Sequence, residues 1–230
     1  MRRYLIVDDN EAFAENLAEI LRDGGDEVET ASGGPAALEF AAAQRFDALV
    51  TDMHMPVMSG ASLVHQIRRA DSGLPAIVVT ARTGEGDLAA ARQEGLLAVL
   101  PKPVPVERLL ELLATARRDA LVALVEDDCA LSDNLSEVLR DRGFSAVEAH
   151  SVLETERLGA VTPFAAVVDL RMPGEADGEA LRRLARCFPL LPMLIITAHA
   201  ESAPALPVFL KPFDTGKLLA ALEAVYRGSR

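Results

Sequence analysis

At 230 residues the chain suits one large domain or two of about 115 residues, given the usual ~100–200 residues per domain. Half of the residues are apolar and a quarter are charged, which excludes a disordered chain, and 35 acidic against 23 basic residues give a net charge of -12 that repels polyphosphate backbones and anionic lipid alike. Two Tyr, eight Phe and no Trp leave few aromatic faces for base stacking, so neither nucleic acid nor a membrane is expected as a direct partner.

Short apolar runs at 4–7, 48–51, 76–80 and 98–100, with a weaker one at 27–31, predict strands, and Phe13, Leu17, Ile20 and Leu21 mark an amphipathic helix after the first of them. Gly24-Gly25 closes that helix, Pro35 opens a second and Gly60 precedes a third. Strands buried on both faces and separated by helices predict a parallel sheet built from βαβ units. A helix over 106–118, carrying Leu109, Leu110, Leu112 and Leu113, leads into a strand at 121–125. Only about two or three residues remain as a linker, with no Gly, Ser or Pro run to make it flexible, so a restricted relative orientation of its two sides is expected. No apolar run approaches the ~20 residues of a membrane helix, and Asp8-Asp9 interrupts the N-terminus before a signal-peptide core forms. The chain reads as cytoplasmic.

From residue 119 the pattern begins again. Leu5-Ile6-Val7-Asp8-Asp9 is echoed by Leu124-Val125-Glu126-Asp127-Asp128, Val50-Thr51-Asp52-Met53-His54-Met55-Pro56 by Val168-Asp169-Leu170-Arg171-Met172-Pro173, Ile77-Val78-Val79-Thr80-Ala81 by Leu194-Ile195-Ile196-Thr197-Ala198, and Leu100-Pro101-Lys102-Pro103 by Phe209-Leu210-Lys211-Pro212. Asp52 to Thr80 and Asp169 to Thr197 are both 28 residues. Four landmarks in one order mark an internal duplication. Cut at 118/119, the halves carry 12 basic against 18 acidic and 11 against 17 residues, -6 each; residues 1–118 and 119–230 are read as two domains of one α/β plan.

In an open parallel sheet, sites form beyond the carboxyl ends of the strands. Asp8, Asp9, Asp52, Thr80 and Lys102 all fall at such ends. Three clustered carboxylates repel one another unless protonated or bridged by a cation, and a hard divalent ion such as Mg²⁺ suits oxygen ligands while keeping positions for water and a phosphoryl oxygen. Lys102 can neutralise a second phosphoryl oxygen and Thr80 can donate to a third, with Asp52 as a carboxylate nucleophile able to form an acyl phosphate. Each residue alone has a plain structural reading; the repetition of the whole set favours the functional one. Met53, Met55 and Met58 are read as filler beside the Pro56 turn, the His54 side chain as a loop residue, and Cys129 and Cys187, which have no Cys-x-x-Cys or Cys/His cluster, as ordinary thiols.

These motifs resemble the receiver domain of bacterial two-component response regulators, here in tandem over nearly the whole chain. The resemblance implies a five-stranded flavodoxin-like (βα)5 fold with strand order 2-1-3-4-5 in each half. It makes Asp52 and Asp169 the phosphoacceptors. Asp8, Asp9 and Asp52 with the His54 backbone carbonyl, and Glu126, Asp127 and Asp169 with the Arg171 carbonyl, become ligands of Mg²⁺, or of Mn²⁺ in its place. Thr80, Lys102, Thr197 and Lys211 become the phosphoryl-sensing groups, with both Lys-Pro bonds cis. Two features depart from the family pattern: Val99 and Val208 stand where an aromatic residue usually precedes the Lys by three positions, and Thr197 to Lys211 is 14 residues against 22 for Thr80 to Lys102. With Pro204 and Pro207 in that shorter stretch, the second half is expected to lack a regular fourth helix.

The function expected is a phosphorylation-dependent signalling switch rather than an enzyme, self-phosphorylating from a histidine kinase, a phosphotransfer protein or a small phosphodonor, with autodephosphorylation and an output through protein contacts, a homodimer through the first half among them. No output module is legible after the second half. A pseudo-receiver scaffold is the alternative, and a Mg²⁺-dependent phosphohydrolase is disfavoured because Asp52 lacks the following Asp-x-Asp pattern of haloacid-dehalogenase-like phosphatases.

Overall fold

The computed structural model describes residues 1–81, 95–174, 176–199 and 206–229. The chain divides into two compact units, Met1–Asp119 and Ala120–Arg230. In the first, strands β1 (Arg3–Val7), β2 (Glu27–Ala31), β3 (Ala48–Asp52), β4 (Ala76–Thr80) and β5 (Ala98–Pro101) form a parallel sheet of order β2-β1-β3-β4-β5. In the second, β6 (Leu121–Val125), β7 (Ser145–Ala149), β8 (Ala165–Asp169), β9 (Met193–Thr197) and β10 (Val208–Leu210) repeat it as β7-β6-β8-β9-β10. The expected flavodoxin-like order is present twice.

Alternation along each strand sends neighbouring side chains to opposite faces, and each unit has a core on either side of its sheet. In the first unit Ile6, Val50, Ile77 and Val79 pack under the Glu11–Asp23 and Val106–Thr115 helices, while Leu5, Val7, Leu49 and Val78 pack under Gly34–Ala43 and Gly60–Ala70. Each such buried side chain contributes about 1.5–3 kcal/mol. In the second unit Val122, Leu124, Leu194 and Ile196 meet the Cys129–Asp141 and Thr215–Gly228 helices, and Ala123, Val125 and Val168 face Glu179–Cys187. Among the described residues no helix is long and apolar enough to cross a membrane.

The helix starts follow local chemistry. Phe13 N–H donates to the Asn10 side chain, Ser62 N–H to Ser59 Oγ, and the N–H groups of Ala130 and Leu131 to Asp128, satisfying amides that a first turn leaves unpaired. Gly60 is the first residue of its helix rather than a residue before it.

The second half departs from the repeated plan at its second helix, which is a 3-10 helix, Glu154–Ala160. The first unit has Pro35 at the opening of an Ala-rich segment there; the second has Thr155, whose hydroxyl donates to the Val152 carbonyl at 2.6 Å, then Gly159 and the extended conformation imposed ahead of Pro163. The helix predicted over 106–118 ends at Thr115. The expectation that no regular helix fits between Thr197 and Lys211 lies outside the described residues.

Candidate functional site

Parallel pairing brings the carboxyl ends of β1, β3, β4 and β5 to one edge, with Val7 opposite Thr51, Asp52 opposite Val79 and Thr80 opposite Pro101. Asp8 follows β1 directly, Asp52 ends β3, Thr80 ends β4 and Lys102 follows β5. Lys102 Nζ lies 2.6 Å from Asp8 Oδ2 and 2.7 Å from Asp52 Oδ1. The remaining carboxylate oxygens accept backbone hydrogen bonds, Asp8 Oδ1 from Asn10 N at 3.0 Å and Asp52 Oδ2 from His54 N at 2.6 Å. Lys102 N–H in turn donates to the Thr80 carbonyl at 2.8 Å, so the strand ends hold the lysine backbone while its amine spans the acids.

The second unit reproduces this arrangement. Lys211 Nζ lies 2.6 Å from Glu126 Oε2 and 2.7 Å from Asp169 Oδ2. Glu126 Oε1 accepts from Asp128 N at 3.2 Å, Asp169 Oδ1 from Arg171 N at 2.9 Å, and the Thr197 carbonyl from Lys211 N at 2.8 Å. Both Lys102-Pro103 and Lys211-Pro212 are cis, as the resemblance implied. Asp8, Asp52, Glu126, Asp169, Thr80 and Thr197 are buried, whereas Asp9 is exposed and Asp127 half-buried.

Burial alone would lower the amine pKa of Lys102, but the hydrogen bonds and charges of Asp52 and Asp8 outweigh it and raise the value; Asp169 and Glu126 do the same to Lys211. Glu126 is itself pushed above the usual carboxylate range by burial, the Asp169 charge adding to the effect and the Lys211 hydrogen bond opposing it. One oxygen each from Glu126, Asp127 and Asp169 lies within 4.8 Å of the others, an all-oxygen donor set of the kind a hard divalent cation takes. Among the described residues it is the one such group, and Asp8, Asp9 and Asp52 are not drawn together so closely.

Of the predicted residues, Lys102 touches Asp8 and Asp52, and Lys211 touches Glu126 and Asp169; Thr80 and Thr197 meet their lysines through the backbone. The Thr197 hydroxyl accepts from His199 N at 3.2 Å. His54 and Arg171 reach the acids through their N–H groups and leave their side chains exposed. Val99 is half-buried on the second core cluster of its unit and Val208 is half-buried on β10.

Two neighbours were not singled out from the sequence. The Phe13 ring lies beneath the Lys102 ammonium, with Nζ 4.6 Å from its centroid. His150, one residue beyond β7, has Nδ1 3.0 Å from the Glu126 carbonyl and Nε2 3.5 Å from Glu148 Oε2. The position of His150 at a strand end is the available signal in the sequence, whereas Phe13 belongs to the apolar stripe of its helix.

The family model of the response regulator receiver domain matches residues 4–114. A response regulator receiver protein of Anaeromyxobacter sp. (strain Fw109-5) is 63% identical over 230 residues, covering 99% of this chain and 96% of that protein. Response regulator MprA of Mycobacterium ulcerans (strain Agy99) is 37% identical over 147 residues, 60% of this chain and 63% of the relative. Among solved structures, the chemotaxis protein CheY4 of Vibrio cholerae is similar over 50% of this chain and 97% of its own length, with 34% identity and a TM-score of 0.48.

Proposed function

Because the chain belongs to the response regulator receiver family, whose members are two-component signalling proteins, we propose that it is a tandem-receiver switch in which Asp52, and in the second unit Asp169, accepts a phosphoryl group. The donor is a histidine kinase, a phosphotransfer protein or a small phosphodonor, and the output is a protein contact. The observation that carries this reading is the Lys102 ammonium 2.6 Å and 2.7 Å from Asp8 and Asp52.

An Asp52 carboxylate oxygen attacks the phosphorus, the donor's bond to phosphorus breaks, and the donor leaves with its electron pair. No proton crosses Asp52, which starts as a carboxylate and ends as an acyl phosphate. Lys102 neutralises charge that grows on the phosphoryl oxygens, the Thr80 hydroxyl donates to one of them, and the His54 N–H keeps the Asp52 carboxylate oriented. Asp8, Asp9, Asp52 and the His54 carbonyl in the first unit, and Glu126, Asp127, Asp169 and the Arg171 carbonyl in the second, are the groups that would hold Mg²⁺. When bound, Mg²⁺ supplies positive charge to the transferring phosphoryl group.

The test is incorporation of phosphate from labelled acetyl phosphate into wild type, Asp52→Asn, Asp169→Asn and the double variant, with and without Mg²⁺. Label in wild type that the double variant loses supports the assignment. Label retained by the double variant, or none in wild type, rejects it.

A further inference from the structure

An ammonium carries three N–H donors, and Lys102 directs two of them at Asp8 and Asp52, at 2.6 Å and 2.7 Å. The same ammonium lies over the face of Phe13, 4.6 Å from Nζ to the ring centroid, within the roughly 6 Å over which a cation is attracted by the ring quadrupole. Phe13 is well placed to keep that position. It lies in the first turn of the Glu11–Asp23 helix, its N–H donates to Asn10 Oδ1 at 3.1 Å, and its half-buried ring packs against the core cluster that contains Leu109 and Leu112.

The duplication supplies an internal comparison. Asp8 and Glu126 are 118 residues apart, and so are Phe13 and Leu131. Leu131 likewise packs against the core of its unit, so the fold at this position asks only for an apolar side chain. A leucine has no quadrupole. The first unit therefore has an interaction with its site lysine that packing does not require.

Resting on the phosphoacceptor reading, we propose that Phe13 is a positioning residue of the first unit, its ring face holding the Lys102 ammonium at the site while Asp8 and Asp52 are engaged elsewhere. The lysine is flexible, its compact charge sitting on a four-carbon stem with many rotamers. Once the Asp52 oxygen that faces it becomes part of an acyl phosphate, one of its two carboxylate partners is altered. The ring is untouched by that chemistry and keeps the amine within reach of the phosphoryl oxygens.

The test compares Phe13→Leu, which keeps apolar bulk, with Phe13→Tyr, which keeps the ring. The rate of Asp52 phosphorylation by acetyl phosphate at saturating Mg²⁺ is measured in the Asp169→Asn background. Phe13→Leu is expected to slow it by about three- to tenfold and Phe13→Tyr to stay within about twofold of the parent. Equal rates in all three chains, or equal losses in both variants, would overturn the proposal, the second because it marks a packing effect. A second readout needs no phosphorylation. The chain has three lysines, so the 13Cε-lysine NMR spectrum has three signals, assignable by Lys→Arg substitution. The Lys102 signal should carry a ring-current shift that Phe13→Leu removes and Phe13→Tyr keeps; its absence in wild type rejects the contact. If wild type takes no phosphate yet this shift is present, the phosphoacceptor reading fails while the lysine–ring contact stands.

Discussion

Val57 adopts φ 71° with its side chain 94% exposed, a left-handed conformation that is a genuine outlier for a β-branched residue. At the matched place, five residues after the acidic strand end, the second unit has Gly174 at φ 79°. Val57→Gly loses almost no buried surface and relieves the clash of a Cβ in this conformation, about 1–2 kcal/mol, against a glycine entropy cost of up to about 1 kcal/mol. The variant should be more stable by roughly 0.5–1 kcal/mol, read as a small rise in the Tm of the first unit; a fall in Tm would contradict it. Glu126 offers a pH test. Its folded-state pKa lies above the usual carboxylate value, chiefly because it is buried. The folded unit thus binds this proton more tightly than the unfolded chain does, and the associated stability is fully present below the unfolded pKa and is lost as pH rises through the folded one. A cation that needs the ionised carboxylate follows the opposite slope. Mg²⁺ affinity of the second unit, measured by calorimetry with Asp8→Asn and Asp52→Asn silencing the first, should fall on acidification, starting above the ordinary glutamate pKa of 4.5. Affinity that holds constant down to that pH would show that Glu126 is not a ligand.

Gly60 ties a helix to the strand that ends in Asp52. A Cβ built there would lie 2.2 Å from the Asp52 carbonyl oxygen, and Gly60 N–H donates to the Met53 carbonyl at 2.9 Å, so the helix start rests directly on the backbone that carries Asp52. Gly60→Ala should cost about 1–3 kcal/mol and slow phosphorylation as well, whereas Gly33→Ala, with open space around its Cβ and an extended φ of 169°, should change stability by less than about 0.5 kcal/mol. Equal thermal melts of the two variants would show that the contact has slack. The sequence revealed Gly60 as punctuation without this contact, because helix signals are local and the partner is a backbone atom eight residues away. Strand β6 was legible to the residue, since a continuous apolar run between turn signals has little freedom. The 3-10 helix at Glu154–Ala160 was not: its departure depends on where the Thr155 hydroxyl points and on Gly159, details that the duplicated pattern hides. The gathering of acids and lysine at one sheet edge was legible because strand ends and the repeat fix their place, while the direct lysine–acid bridges and the ring beneath Lys102 were not.

Two units with equal formal charge, -6 each when cut at 118/119, and matching acid–lysine bridges need not carry equal signals. They also differ away from these bridges: a helix in the first unit is a 3-10 segment in the second, and Thr80 to Lys102 is 22 residues whereas Thr197 to Lys211 is 14. In receivers the segment before the last strand, with that strand and the last helix, forms the surface on which phosphorylation is read. That stretch is eight residues shorter in the second unit, where the bridge of Lys211 to Glu126 and Asp169 is intact. The expected division of labour is that the first unit reports its phosphorylation to other proteins or to a second copy, and the second binds metal and phosphoryl group with a different readout. Sedimentation velocity of the full chain with Mg²⁺ and acetyl phosphate tests this, alone and with any partner captured in a phosphate-dependent way. Asp52→Asn, which keeps a side chain able to accept from Lys102 but cannot form an acyl phosphate, should abolish the phosphate-dependent change in assembly. Asp169→Asn should leave more than half of it. The reverse pattern would move the output role to the second unit, and an undiminished response in both variants would remove phosphorylation from the control of assembly.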